Sequence, residues 1–342
     1  TSIRTGTQTG EYFGYSVSTA GDVNGDGYSD VIVGAPLYDG GETDEGKCYA
    51  YLGSASGISA TAIWAEESDH TGGQFGISVS TAGDMNGDGY ADVIAGGNYL
   101  DNGQLDEGRA LVYLGYSGGL RTTAEVIYEN NQGFSQFGYS VATAGDINGD
   151  GFSDVICGAY NYDNPSSNEG AAFVYLGSAI GMSASSNWNA EGNQVSANFG
   201  YSVSTAGDVN GDGYSDVIVG AYNFDNGQTQ EGAAFVFHGS ANGLSTFSSW
   251  NAEGNQASAE FGNSVSTAGD VNGDGYSDVI VGAFLYDNGQ TDEGISFVYY
   301  GSASGLSLTS NWTAEGNQAY ANFGHSVSTA GDVNGDGYSD VI

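Results

Sequence analysis

The chain has 342 residues and carries 42 acidic side chains against 4 Lys and Arg, which gives a formal net charge of −38. Such a chain cannot neutralise phosphates, so nucleic acid is excluded as a direct partner and anionic membrane surfaces are disfavoured. No apolar run approaches the roughly 18 residues that a membrane span needs, so no membrane insertion is expected. The two cysteines, Cys48 and Cys157, occupy unrelated positions and are predicted to be buried free thiols.

The chain begins with runs of strand-forming residues, and these are separated by turns rich in Gly, Asn and Asp. The predicted strands of the first repeat are residues 13–20, 30–35 and 48–53, and a fourth, more polar run is clearest at 187–192. Apolar and β-branched residues dominate the first three runs, as they do in strands. No segment shows the 3.6-residue apolar period of a helix. The pattern therefore predicts an all-β chain.

One nine-residue stretch, Asp22-Val-Asn-Gly-Asp-Gly-Tyr-Ser-Asp30, recurs along the whole chain. It returns at 84–92, 146–154, 208–216, 270–278 and 332–340, a step of 62 residues each time. A fixed period of this size indicates a propeller or a solenoid, and four antiparallel strands per period are typical of a propeller blade. No linker interrupts the array. We therefore predict a single β-propeller domain over residues 1–342, built of four-stranded antiparallel blades.

The two ends predict how many blades there are. Five repeats are complete, and the last residues supply only the first two strands of a sixth. Residues 2–9 align with the fourth strand of the other repeats. We therefore expect six blades, the sixth being shared by the two termini, a closure that removes exposed sheet edges. Because the chain stops inside the second strand of that blade, the natural protein is expected to continue. If an edge stays open, a neighbouring chain could pair with it.

The recurring stretch has the residue types of a calcium loop. Oxygen side chains stand at positions 1, 3, 5 and 9, position 6 is always Gly, and position 7 is aromatic, so that only its carbonyl oxygen could be a ligand. Calcium takes six to eight oxygen ligands, and a Gly permits the sharp turn that wraps them around the ion. A bare acidic turn would instead bring three like charges together without a counter-ion. We therefore predict up to six bound Ca²⁺ ions.

Each of the six loops contributes five predicted ligands, from positions 1, 3, 5, 7 and 9. In chain order they are Asp22, Asn24, Asp26, Tyr28 and Asp30; Asp84, Asn86, Asp88, Tyr90 and Asp92; Asp146, Asn148, Asp150, Phe152 and Asp154; Asp208, Asn210, Asp212, Tyr214 and Asp216; Asp270, Asn272, Asp274, Tyr276 and Asp278; and Asp332, Asn334, Asp336, Tyr338 and Asp340.

The loop begins like an EF-hand but does not end like one. An EF-hand requires a bidentate Glu at position 12, where the first loop has Val33. The loop instead runs directly into the apolar strand Val31-Ile32-Val33. The metal loop is therefore predicted to be the turn of a β-hairpin. Millimolar calcium is found mainly outside cells, so an extracellular location is preferred.

These motifs together resemble the FG-GAP repeats of integrin α-subunit β-propellers. The motifs that name the family stand here as Phe13-Gly14 and Gly34-Ala35-Pro36, with the acidic loop between them, and the resemblance covers the whole chain. The resemblance implies calcium loops on the lower face of the propeller and ligand-binding loops on the upper face. The near-identity of the repeats is more typical of a bacterial member. No catalytic pattern of residues is present, so no enzyme activity is expected.

Two functions remain open: an extracellular calcium-binding structural or adhesive module, which could self-assemble, and a glycan-binding lectin. The lectin hypothesis depends on an aromatic position in the fourth strand, occupied by Trp64, Trp188, Trp250 and Trp312. The alternative is that each indole covers the edge of its blade. The repeated Glu45, Glu107, Glu169, Glu231 and Glu293 are interpreted as structural.

The first two repeats differ most from the others in their upper loops, at residues 66–73 and 129–135. Because loops on a rigid scaffold carry function, this sector is a candidate contact surface for a protein or glycan ligand. Neutral drift in exposed turns is the alternative. The acidic residues predicted to line this sector are Asp39, Asp44, Glu45, Asp101, Asp106 and Glu107.

Overall fold

The computed structural model describes residues 3–342, and this part of the chain is all-β. No helix among these residues is long and apolar enough to cross a membrane. The residues fall into two compact units. The first contains the described residues up to Thr143 together with Gly151–Tyr162 and Phe173–Asn187, and the second contains Ala144–Asp150, Asp163–Ala172 and Trp188–Ile342. The expected single domain stays a prediction.

The first two repeats each form a four-stranded antiparallel sheet within the first unit, in the orders β1-β2-β3-β4 and β5-β6-β7-β10. A two-stranded hairpin, β8-β9, is inserted in the second repeat. The strands are β1 (Ser16–Gly21), β2 (Asp30–Ala35), β3 (Lys47–Tyr51), β4 (Trp64–Glu67), β5 (Ser78–Gly83), β6 (Asp92–Gly97), β7 (Arg109–Tyr113), β8 (Gly115–Tyr116), β9 (Gly119–Leu120) and β10 (Val126–Tyr128).

The third repeat supplies four more strands, whose residues are divided between the two units. They are β11 (Ser140–Gly145), β12 (Asp154–Ala159), β13 (Ala171–Tyr175) and β14 (Trp188–Glu191).

The remaining repeats lie in the second unit, as the sheets β15-β16-β17-β18 and β19-β20-β21-β22 and the two-stranded sheet β23-β24. Their strands are β15 (Phe199–Gly207), β16 (Asp216–Ala221), β17 (Ala233–Phe237), β18 (Trp250–Glu253), β19 (Ser264–Gly269), β20 (Asp278–Ala283), β21 (Ile295–Tyr299), β22 (Trp312–Glu315), β23 (Thr329–Gly331) and β24 (Asp340–Val341). The four strands predicted per repeat are confirmed, and the all-β blade architecture with them.

The acidic loops join the first and second strands of each repeat, as predicted. In the first repeat, β1 and β2 pair antiparallel with Ser16 opposite Gly34, and the register shifts between Thr19 and Gly21 where the strands meet the loop. The same shift separates Thr267 from Gly269 in β19. The bulged Gly has φ near +73° at Gly21, a conformation that residues with a β-carbon adopt only rarely. Each acidic loop therefore starts from the same irregular hairpin end.

The Phe-Gly and Gly-Ala motifs are brought together in the sheet. The amide of Gly14 donates to the carbonyl oxygen of Gly34 at 3.0 Å, and Gly76 pairs with Gly96 in the same way at 2.8 Å. In the second unit, Gly262 donates to Gly282 at 2.9 Å. The Phe of the inner motifs packs into the core: Phe75, Phe137 and Phe261 are fully buried, whereas Phe13 is partly buried and Phe323 is 40% exposed. The motif thus fixes the start of the first strand against the end of the second.

Residues 3–9 do not form the predicted strand, and Ser2 lies outside the described residues. The segment instead lies against the first blade. The Arg4 Nε donates to the Ser59 carbonyl oxygen at 2.9 Å, and the Gln8 side chain accepts from the amide of Asp39. In the second unit, the Trp250 indole donates to the carbonyl oxygen of Ser307, and the Gln256 side chain accepts from the amide of Asp287. Ser307 and Asp287 are the equivalents of Ser59 and Asp39. Residues 3–9 therefore contact the first blade in the same way that the outer strand and connector of one repeat contact the blade of the next repeat. The closing strand itself stays a prediction.

Candidate metal-binding loops

The first Asp of each acidic loop organises the loop backbone. Asp22 Oδ1 accepts hydrogen bonds from the amides of Gly25 and Asp26 at 2.7 and 3.1 Å, and Oδ2 accepts one from Gly27 at 2.8 Å. The same three bonds form around Asp84 and Asp208, with lengths within about 0.1 Å. Gly27 has φ near +90°, as the predicted sharp turn requires. Position 1 is therefore both a predicted ligand and the residue that shapes the turn.

Positions 3 and 5 are linked directly to each other. Asn24 Nδ2 donates to Asp26 Oδ2 at 3.0 Å, while Asn24 Oδ1 accepts from the Asp26 amide at 3.0 Å. Asp26 Oδ1 in turn accepts from the amide of Tyr28. These side chains lie at the exposed end of the hairpin, within reach of solvent ions.

Position 9 differs from the others because it is buried. Asp30 is 1% exposed, and its two carboxylate oxygens accept from the amides of Val23 at 2.9 Å and Gly53 at 2.7 Å. The first of these donors belongs to the acidic loop and the second follows β3. Asp92, Asp216 and Asp278 make the corresponding pair of bonds. The position-9 Asp therefore joins the metal loop to the third strand of its blade.

Burial raises the pKa of these position-9 carboxyl groups. The pKa of Asp92 and of Asp216 is raised to about 7, first because burial disfavours the charged form and then because Asp88 and Asp84, or Asp212 and Asp208, lie nearby. The two backbone hydrogen bonds act in the opposite direction. For Asp278 the same causes raise the pKa to about 6. Each loop is thus an acidic cluster in which one carboxyl group is poorly solvated.

The donor atoms suit calcium in their chemistry, but they are not gathered around a common point. Within residues 3–342, no group of three or more His, Cys, Asp and Glu side chains is arranged to hold a metal ion. The carboxylates are turned to the amides of the loop instead. Each carboxylate oxygen has two lone pairs, so these bonds leave acceptor capacity. The six ligand sets stay predictions.

Neighbouring acidic loops contact one another. The ring of Tyr90, at position 7 of the second loop, lies against Gly25 of the first and leaves no room for a β-carbon there. Tyr276 lies against Gly211 in the same way within the second unit. In addition, the amide of Ala91 donates to the carbonyl oxygen of Asp22 at 2.9 Å. The packing of this ring on the neighbouring loop was not predicted from the sequence. The features that indicate it are the invariant Gly at position 4 and the aromatic residue at position 7.

Comparison with protein families places these motifs in one group. The FG-GAP repeat model matches residues 13–51, 75–113, 137–175, 199–237 and 261–299, so each match runs from a Phe-Gly motif to the end of a third strand. The chain belongs to the FG-GAP repeat family. Integrin alpha-V from Gallus gallus is 31% identical over 364 residues, an alignment that covers 97% of this chain and 32% of the relative.

Two further relatives match part of the chain. Integrin alpha-PS2 from Drosophila melanogaster is 35% identical over an alignment that covers 46% of this chain and 12% of the relative. Integrin alpha-IIb from Homo sapiens is 38% identical over an alignment that covers 45% of this chain and 15% of the relative. The chain therefore spans less than a third of the length of these relatives.

At the opposite end of each FG-GAP blade, a buried Glu holds the loop between the second and third strands. Glu231 is 1% exposed, and its Oε1 accepts from the amides of Asn226 at 2.6 Å and Gln228 at 3.2 Å. Glu45 and Glu107 bond their loops similarly and are fully buried. The structural interpretation of these residues is confirmed. The expectation that Glu45 and Glu107 line a contact surface is wrong, because a buried carboxylate cannot reach a partner.

The same FG-GAP loops are braced to the connector of the preceding blade. In the second unit, Gln194 Oε1 accepts from the Asp225 amide at 2.7 Å while Gln194 Nε2 donates to the Asp225 carbonyl oxygen at 2.8 Å. The equivalent position in the first unit is His70, whose Nε2 lies 3.9 Å from Asp101 Oδ2. The second repeat therefore has a contact between His and Asp side chains, both ionisable, at the position where a later repeat has hydrogen bonds between a neutral Gln side chain and the Asp backbone. This is a real difference within the sector that was predicted to be distinct.

Three of the four Trp residues are buried between FG-GAP strands. Trp64, Trp188 and Trp250 are at most 9% exposed, and each indole N–H donates to a carbonyl oxygen at 2.9 Å. Their rings meet Tyr113, Phe237 and Tyr299 edge-on, with centroids 4.9 Å apart. These three indoles cover blade edges and present no free face for stacking on a sugar. Trp312 is 44% exposed. The cysteines Cys48 and Cys157 are free and buried, as predicted.

Proposed function

We propose that this chain is an extracellular adhesion module that binds a protein ligand and is stabilised by calcium, and that it has no catalytic role. The observation that carries the proposal is the sixfold recurrence of one acidic hairpin loop inside a chain of FG-GAP repeats related to integrin α-subunits. The acidic loops lie at one end of each blade and the braced loops lie at the other. Metal binding and ligand recognition would therefore take place at opposite ends of the blade. Extracellular calcium would saturate weak sites of this kind.

Calcium would be held by positions 1, 3, 5 and 9 of each loop and by the carbonyl oxygen of position 7. Its contribution would be to neutralise the clustered carboxylates and to cross-link the two strands of the hairpin. Two residues of the chain organise the loop itself. Asp208 accepts a hydrogen bond from the loop amide of Gly211, and Asp216 accepts one from the amide of Gly239, which follows the third strand. Metal that binds only the native chain stabilises it by RT ln(1 + [Ca²⁺]/Kd) at each site.

Calorimetric titration of chelator-treated protein tests the calcium part of the proposal. We expect up to six Ca²⁺ ions per chain, and one fewer in Asp212→Ala. Gln228→Ala changes a polar side chain at the other end of the same blade and serves as the matched control with unchanged stoichiometry. Absence of calcium binding in the wild-type chain would refute the calcium part.

Recognition is assigned to the braced loops at the end of each blade opposite the metal. Beads coated with the calcium-loaded protein should adhere to one or more immobilised extracellular-matrix proteins and should detach in chelator. A glycan array under the same conditions tests the lectin alternative, which the burial of three Trp residues already disfavours. Binding to glycans alone would replace the adhesion proposal with the lectin. Replacing 66–73 and 129–135 with their third-repeat equivalents then tests whether the variant sector carries the contact.

Self-association through a sheet edge is the last part of the proposal. The last two strands, β23 and β24, pair only with each other among the described residues, and beside them a cleft of about 370 Å³ is lined by Ile280, Trp312, Phe323 and Val327. An edge of this kind can pair with a strand of another chain. Sedimentation velocity at rising protein concentration should reveal oligomers. A single monomer boundary at all concentrations would exclude self-association.

A further inference from the structure

A second, unrelated site lies in the second unit, between the outer strand of the third repeat and the sheet of the fourth. It is a cleft of about 500 Å³. Its lining comes from β14 and the residues after it, from the aromatic residues of the fourth repeat, and from the turn at 246–248. The volume falls within the range of small-molecule sites, which are concave and largely apolar with few polar groups.

The floor of the cleft is built of interlocked Phe rings. Phe199 lies 5.6 Å from Phe235 and 6.3 Å from Phe237 between ring centroids, and Phe224 meets Phe235 edge-on at 5.5 Å. Phe237 is additionally held by the edge of Trp188. Phe224 and Phe235 remain partly exposed, and Phe247 at the mouth is 83% exposed. Ring contacts therefore fix Phe224 and Phe235, and these two rings, together with Phe247, present exposed surface to a ligand.

Comparison among the repeats shows that this cleft is specialised. Three of its positions are Phe only in the fourth repeat. Position 237 is Tyr in the other four complete repeats, and position 224 is Tyr in three and Leu in one. Position 247 is Thr or Ser elsewhere. In repeats that are otherwise nearly identical, all three differences remove a hydroxyl or add a ring. The fourth repeat has therefore become the more apolar one at this site.

The rim of the cleft supplies one negative charge that no side chain neutralises. Glu191 Oε1 accepts from Asn164 Nδ2 at 3.0 Å, but no ion pair forms at this carboxylate among residues 3–342. The equivalent carboxylates of the first two repeats are paired: Glu67 with Lys47 at 3.3 Å and Glu129 with Arg109 at 3.1 Å. All four Lys and Arg residues precede residue 122, so the second unit contains none.

We propose that this cleft binds a compact organic cation, a molecule in which a ring or short alkyl body carries an ammonium group. The Phe rings would contact the apolar body and attract the cation through their faces, and Glu191 would supply the counter-charge. Cation–π contacts strengthen when the cation is desolvated, and the acidic chain raises the local concentration of any cation. The proposal does not depend on the calcium loops.

The probe for this site is benzyltrimethylammonium, titrated calorimetrically into the 342-residue chain in calcium-containing buffer. Tetramethylammonium has the charge without the ring, and benzyl alcohol has the ring without the charge. We expect saturable one-to-one binding of the probe, about tenfold tighter than either comparator, with an affinity that falls as salt concentration rises. Equal affinity for tetramethylammonium would mean that binding reflects only diffuse electrostatic attraction between the cation and the acidic chain. Equal affinity for benzyl alcohol would make the site merely apolar. Either outcome overturns the proposal.

The variants use residues that sibling repeats already accept, so folding should be preserved. Phe224→Leu and Phe247→Ser combined remove two rings, using the residues that sibling repeats carry at these positions, Leu100 and Ser185, and should weaken probe binding about tenfold or more. Glu191→Gln should weaken binding and make its salt dependence shallower. Phe297→Tyr introduces the Tyr of the first repeat in the fifth blade, outside the cleft, and should change nothing. Unchanged binding in this double variant, with an unchanged melting curve, would refute the site.

Discussion

The carbonyl oxygen of Gly76 lies directly over the α-carbon of Gly34, so that a β-carbon on Gly34 would collide with it. Gly76 belongs to the Phe-Gly motif of one repeat and Gly34 to the Gly-Ala motif of the repeat before it. Gly96 and Gly138, Gly220 and Gly262, and Gly282 and Gly324 repeat this relationship. Two backbones thus meet where neither has a side chain, which explains why both motifs contain Gly.

Gly220→Ala should therefore destabilise the protein strongly. The new methyl group would meet backbone at Gly262, which cannot move without disturbing two sheets, and overpacking of this kind costs about 1–3 kcal/mol. Urea denaturation measures the loss as a lower midpoint. Gly41→Ala is the control, since a β-carbon there has nothing within 4 Å and the backbone has no positive φ. Equal midpoints for the two variants would contradict the packing argument.

Removal of calcium should lower the melting temperature. Each loop gathers three Asp side chains whose repulsion is relieved by a bound cation, and each saturated site adds about 2.7 kcal/mol at a hundredfold excess over its Kd. Melting curves followed by circular dichroism should shift down in EDTA and recover fully with calcium. Magnesium should restore less, because it demands a smaller and more regular ligand shell. Identical melting with and without chelator would be incompatible with this role.

Calcium binding to adjacent loops should be coupled. Tyr276 packs against Gly211, and the Ser277 amide donates to the Asp208 carbonyl oxygen at 3.0 Å, so ordering one loop favours the conformation of the next. Tyr276→Ala should weaken binding at the fourth and fifth loops together, which titration would show as two sites of lowered affinity. Tyr28→Ala is the comparison, because that ring is 44% exposed. A loss confined to the fifth loop would argue against coupling.

Glu231→Ala should loosen the loop at 225–230 without unfolding the blade. Removing the carboxylate leaves the amides of Asn226 and Gln228 without their protein acceptor, and each such hydrogen bond contributes about 0.5–1.5 kcal/mol. Hydrogen exchange should accelerate at those two amides while the strands stay protected. Glu231→Gln keeps an acceptor oxygen and should exchange nearly as slowly as the wild type. If both variants exchange alike, the carboxylate does not anchor the loop.

The 62-residue repeat, its four strands and the place of the acidic loop between the first two of them could be predicted from the sequence. The 62-residue period, the β-branched run after Asp30 and the Gly at position 6 are local features, and local features specify hairpins and turns without reference to the rest of the chain. That Glu45 is structural could be argued from its repetition. Its burial could not, because the packing around a side chain comes from residues distant in sequence.

The contacts between one repeat and the next depend on the tertiary structure. The fit of the Gly76 carbonyl over Gly34, the ring of Tyr90 on Gly25 and the burial of Trp188 against Phe237 each join residues more than 40 positions apart. The cleft beside Glu191 was likewise invisible in the sequence, where Phe224, Phe237 and Phe247 are scattered substitutions. They become one surface only because the fold brings the loops that carry Phe224 and Phe247 to the strand that carries Phe237, and because the acidic second unit offers no Lys or Arg to neutralise the rim.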